Sequence, residues 1–137
     1  AIESGTVRLA ALRRDDQDLA SLREIVETMD EQVSDGVHPV DTDRQFHRAI
    51  AAAAGNPLLL QAMDALVARM SGPEWHRIKL WGLRGTEQTE RIQGQHRLIL
   101  AAIEASDVER AELLMTEHID RIIDDVHAAE ASKRVKG

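Results

Sequence analysis

The 137-residue chain has a formal net charge of −7 and no cysteine, which excludes a disulfide framework and a thiolate metal site. Its Lys and Arg residues are scattered, so direct contact with nucleic acid is not expected of this chain. Phe46, Trp75 and Trp81 are the only aromatics, so Ala, Leu, Ile and Met must build the core, a composition that favours helices over a β-sandwich. No apolar run reaches the ~18–20 residues that span a bilayer, and the chain is expected to be one soluble, cytoplasmic domain with no membrane partner.

The predicted elements are helices cut by recognisable caps. Ile2, Leu9 and Leu12 set a helical pattern to about Arg13. No cap precedes it, and a start at Ala1 inside a helix reads as a fragment of something longer, with removal of an initiator Met as the alternative. Asp15 and Asp16 supply an N-cap and an acidic first turn for a second helix with Leu19, Leu22, Ile25, Val26 and Met29 on one stripe. It ends near Gly36, and His38-Pro39 forms a connector. Asp41 or Thr42 starts a third helix through Phe46, Ile50 and Ala53, closed by Gly55. Asn56 caps the fourth, with Pro57 in its first turn, and Leu58, Leu59, Met63, Leu66, Val67 and Met70 carry it to Ser71-Gly72-Pro73.

Trp75, Ile78 and Trp81 predict a short helix closed by Gly82 or Gly85. A long helix follows from Thr86 to about Ala105, with Ile92, Ile99 and Ile103 inward. Ser106 and Glu109 have capping-box spacing for the last helix, whose core face is Ala111, Leu114, Met115, Ile119, Ile122 and Val126. The expected fold is all-α, an antiparallel bundle of six or seven helices around a central metal or ligand cavity.

Asp43 and His47 stand four apart, one turn apart on one helix face, where a carboxylate and an imidazole can chelate one ion. The pair alone says little, because many surface helices carry it by chance. His96 lies between Ile92 and Ile99 on the inward stripe of its helix, and His118 lies between Leu114 and Ile122 on that of the last. One inward histidine is ordinarily a satisfied core residue. Three of them with one Asp, on three helices, would bury several polar atoms at a cost that one shared cation removes. Imidazole with carboxylate suits a divalent ion, zinc foremost, with nickel, manganese and iron as alternatives. His38 and His127 read as structural or surface residues, and His76 falls where it can line a pocket.

The stretches Asp43-Arg44-Gln45-Phe46-His47 and Ala53-Ala54-Gly55-Asn56-Pro57-Leu58-Leu59 resemble the FCD domain, the C-terminal effector domain of the FadR subfamily of GntR-type transcription regulators. His96-Arg97-Leu98-Ile99, Ala102-Ile103, Asp107, Ala111, Met115 and His118-Ile119 continue the likeness, which covers nearly the whole of residues 1–137. The resemblance implies one divalent metal per chain, held by Asp43, His47, His96 and His118, with open positions for a small carboxylate effector. It also implies a homodimer that reaches DNA only through an N-terminal winged helix-turn-helix domain absent from this chain.

The family often has an effector-binding arginine at the start of its first helix. Here no arginine precedes Glu3, and Arg8 is later than the pattern. Arg48, His76, Arg77 and Arg84 are the candidates for effector contact. No enzyme is expected, since there is no His-Glu-x-x-His motif. The competing readings are a mononuclear metal-dependent hydrolase and a helical dimerisation module without metal.

Overall fold

The structure is a computed structural model that describes residues 2–70 and 85–136. The described residues form six helices: α1 (Ile2–Arg13), α2 (Asp16–Ser34), α3 (Val40–Ala53), α4 (Pro57–Met70), α5 (Thr86–Glu104) and α6 (Val108–Lys136). The short helix expected around Trp75, Ile78 and Trp81 lies outside the described residues.

Helix ends follow the polar punctuation, with two departures. Asp15 Oδ1 accepts from the Asp18 amide at 2.7 Å and Asp18 Oδ2 from the Asp15 amide at 3.0 Å, a reciprocal box that opens α2. At its far end Gly36 takes a positive φ of 76°, and Val37 N–H reaches back to the Gln32 carbonyl at 2.8 Å. Asn56 Oδ1 accepts from the Leu58 amide at 2.9 Å, as expected for the start of α4. The third helix, however, opens at Val40 with no side-chain cap. Thr42 is buried and donates its hydroxyl to Gln32 Oε1 at 2.7 Å, so it ties α3 to α2 instead of capping its own helix.

The expected Ser106–Glu109 box is the second departure. Ser106 has φ 52° and closes α5 as its left-handed residue, with its amide on the Ile103 carbonyl and the Asp107 amide on the Ala102 carbonyl. Asp107 then caps α6, accepting from the Arg110 amide at 3.2 Å. Ser106 thus ends one helix and Asp107 begins the next, so the serine is taken up by the α5 terminus and is not the N-cap of α6.

In the core, α1 packs against α6, α3 and α5, while α2 lies against α3 and α5, and α4 chiefly against α3. The buried face of α1 is Thr6, Val7, Ala10 and Ala11, whereas Ile2 and Leu12 are 46% and 63% exposed. A helix with neighbours on several sides needs small residues where backbones approach, and the larger Ile2 and Leu12 fall outside that contact. Leu22, Met29, Phe46, Ile50, Ile99, Ile103 and Met115 fill the interior, each worth about 1.5–3 kcal/mol in apolar transfer.

Two adjacent arginines at the end of α1 clamp other helices. Arg13 donates to the Ala54 carbonyl at 3.2 Å, closing α3. Arg14 donates to the Ile103 and Glu104 carbonyls at 3.2 and 2.7 Å, closing α5. A cation at a helix C-terminus also meets the negative end of its dipole.

Candidate metal centre

The packing of α3, α5 and α6 brings Asp43, His47, His96 and His118 to one point, with one ligand atom from each within 4.8 Å of every other. Asp43 sits in the first turn of α3, where a carboxylate is favoured by the helix dipole, and His47 lies one turn further on the same face. His47 Nε2 is 3.5 Å and His96 Nε2 3.1 Å from Asp43 Oδ1. The imidazole of His118 is stacked on His47 with ring centroids 5.6 Å apart and meets His96 edge-on at 4.8 Å.

All four are buried, His118 completely. Phe46 walls the group, its ring centroid 4.8 Å from that of His96 and 5.6 Å from that of His47. Beside Asp43 and His96 the described residues leave a recess of about 20 Å³, lined also by Pro39, Thr89, Ile92, Gln93 and Ile122. That is room for about one water-sized sphere.

The histidines are also held from behind. Glu3 Oε1 of α1 is 2.7 Å from His47 Nδ1. Gln93 Oε1 is 3.1 Å from His96 Nδ1, and Gln95 Oε1 is 2.7 Å from His118 Nδ1. Each ring therefore has its Nδ1 against an oxygen, the outer arrangement that leaves Nε2 for a ligating role. For His47, burial opposes charging, but the Glu3 and Asp43 carboxylates outweigh it and push the imidazole up to about 10.

The donor set fits a metal ion. Donors that share one ion through bonds of ~2.0–2.1 Å lie roughly 3–4 Å apart. The 3.1 and 3.5 Å contacts fall in that range, and the full spread of 4.8 Å is wider than it. Three imidazoles and one carboxylate, shielded from water, could hold a borderline divalent cation once His47 has given up its proton.

The FCD domain family matches residues 1–121. The chain belongs to this family. Similar proteins are GntR-family regulators. The HTH-type transcriptional regulator LutR of Bacillus subtilis (strain 168) is 27% identical over 123 residues, covering 90% of this chain and 56% of LutR. The HTH-type transcriptional repressor NanR of Enterobacter sp. (strain 638) is 28% identical over 135 residues, covering 98% of this chain and 51% of NanR. Among solved structures, E. coli McbR/YncC superposes with a TM-score of 0.80 at 26% identity, over 93% of this chain and 59% of that one. The chain spans about half the length of the curated relatives it matches.

Of the effector candidates in this FCD domain, Arg48 stands apart from the cluster. It is exposed and paired with Asp64 of α4 at 2.7 Å. His76, Arg77 and Arg84 lie outside the described residues. His38 is exposed with its Nδ1 3.3 Å from Thr89 Oγ1, and His127 is exposed, as expected of both. Glu3, Gln93 and Gln95 were not singled out from sequence. Gln93 lies three residues before His96, a spacing that places both on one helix face and was a usable signal. Nothing in the sequence pairs Gln95 with His118 or Glu3 with His47.

Proposed function

We propose that this FCD domain is the metal-centred sensor of a GntR-type transcription regulator. Asp43, His47, His96 and His118 would hold one divalent ion per chain, zinc first among the candidates. When bound, the ion supplies positive charge and open coordination positions for a small carboxylate metabolite. The observation that carries the reading is the buried cluster itself: four donors from three helices, with all three imidazoles backed at Nδ1.

The chain's own residues do the rest. Asp43 offsets the ion's charge, Phe46 and the buried walls keep water out, and Glu3, Gln93 and Gln95 hold the rings. Differential affinity of the carboxylate for two arrangements of a homodimer would alter DNA binding by an N-terminal domain outside this chain. Such a regulator works in the cytoplasm and is a sensor, not a catalyst, in keeping with its similar regulators.

The test is metal content and melting temperature of the purified chain, with His47→Ala and His118→Ala as controls. About one metal per chain, lost in both variants, and melting raised by particular small carboxylates are the expected results. No metal after reconstitution, with neither variant destabilised, would leave a helical dimerisation module.

A further inference from the structure

Of the three side chains behind the histidines, Gln93 is only 2% exposed and is held at both ends of its carboxamide. Its amide nitrogen donates to the Val26 carbonyl at 3.1 Å and to Asp30 Oδ1 at 2.7 Å, both on α2. A carbonyl and a carboxylate only accept, so the –NH₂ end must face them and Oε1 must face His96 Nδ1, 3.1 Å away. An amide oxygen also only accepts. Nδ1 of His96 must therefore carry the hydrogen, and Nε2 is turned to Asp43, 3.1 Å from its Oδ1. The orientation of this carboxamide is settled at both ends by what its neighbours can do, where amide flips are otherwise open. Asp30 is in turn engaged by the Arg97 guanidinium, which keeps its carboxylate in place.

We infer that Gln93 is a positioning residue that commits His96 to carrying its hydrogen on Nδ1 and so presents Nε2 to the metal centre. The consequence for metal affinity rests on the metal-centred reading above; the placement of the hydrogens does not. The selection runs from the α2 backbone at Val26 through the carboxamide to the imidazole, so α2 contributes to a centre whose donors all lie on other helices. Without the oxygen, the imidazole is free to place hydrogen on Nε2, which must leave before a cation can bind. Outer-shell partners of this kind are worth about 10–100-fold in metal affinity.

Two variants separate positioning from mere packing. Gln93→Met keeps length and apolar bulk but has no oxygen for Nδ1–H. Gln93→Glu keeps an oxygen there but sets a second carboxylate beside Asp30. Zinc affinity, measured by chelator competition at pH 7, should fall about 10–100-fold in Gln93→Met and stay within a few-fold of the parent in Gln93→Glu. Melting of the metal-free chain should show the opposite order, with Gln93→Glu the less stable. Long-range ¹H–¹⁵N spectra of the metal-free parent should show protonated Nδ1 on His96, and Gln93→Met should show Nε2–H there.

Unprotonated Nδ1 in the parent, or zinc affinity in Gln93→Met equal to the parent's, would overturn the inference. A parent that takes up no zinc yet shows the Nδ1 hydrogen on His96 would sink the metal-centred reading and leave the hydrogen placement standing.

Discussion

His47 is where the electrostatics of the centre are sharpest. In the metal-free chain burial works against its charge, yet the carboxylates of Glu3 and Asp43 more than compensate and push it from an ordinary 6.5 up to about 10. A folded value above the unfolded one means the charged ring stabilises the fold. That contribution is complete below about pH 6.5 and is lost as pH rises through about 10. A metal ligand must give up this proton, so zinc loading at pH 7 should release protons and tighten as pH rises. Calorimetry in two buffers of different ionisation enthalpy measures the release. Glu3→Gln should reduce it, because Glu3 is the larger of the two charges raising His47; a release unchanged in that variant would remove Glu3 from this role.

At the scale of the helix, two junctions carry testable energetics. Ser106 holds a left-handed φ of 52° where glycine is at ease, a conformation that costs a residue with a Cβ about 1 kcal/mol. Ser106→Gly should raise unfolding free energy by about 0.5–1 kcal/mol and Ser106→Val should lower it by about 1–2 kcal/mol, read from urea midpoints at constant slope. A stabilising valine would contradict the strained junction. Arg14 is the other case, since its guanidinium bonds the Ile103 and Glu104 carbonyls that end α5. Arg14→Ala should lower stability by about 1–3 kcal/mol, whereas loss at the exposed Arg48–Asp64 pair should be within about 1 kcal/mol. Equal losses at the two sites would mean that closing α5 is worth no more than a surface ion pair.

For the whole molecule, an ion held by the cluster would be a cross-link. Its donors come from α3, α5 and α6, and its outer contacts add Glu3 of α1 and, through Gln93, the backbone of α2. Among the described residues no contact of α4 with the cluster is seen; that helix packs chiefly on α3 and leaves Leu58 72% exposed. An ion bound by the folded state alone stabilises it by about 4 kcal/mol at a thousandfold excess over its dissociation constant. For a chain of this size, saturating zinc should raise the melting temperature by about 10 °C or more, and a chelator should reverse the gain. Identical melting with and without zinc would show that no ion ties these helices together.

Much of this was legible in the residues because it is local or periodic. Asp15, Gly36, Gly55 and Asn56 mark helix ends through contacts a few positions long, and the stripes around His96 and His118 follow from 3.6 residues per turn. The likeness of Asp43-Arg44-Gln45-Phe46-His47 and Gly55-Asn56-Pro57 to the FCD domain pointed to the family that residues 1–121 match. What tertiary structure alone decided is which distant group each polar side chain meets. Periodicity says whether a residue faces inward; it does not say what waits there. Gln93 meets a carbonyl 67 positions away, His118 a glutamine 23 positions away, and Arg14 the end of a helix about 90 positions on. For the same reason α1 buries Thr6, Val7, Ala10 and Ala11 instead of its larger Ile2 and Leu12, because the space between three neighbouring helices exists only once they have packed.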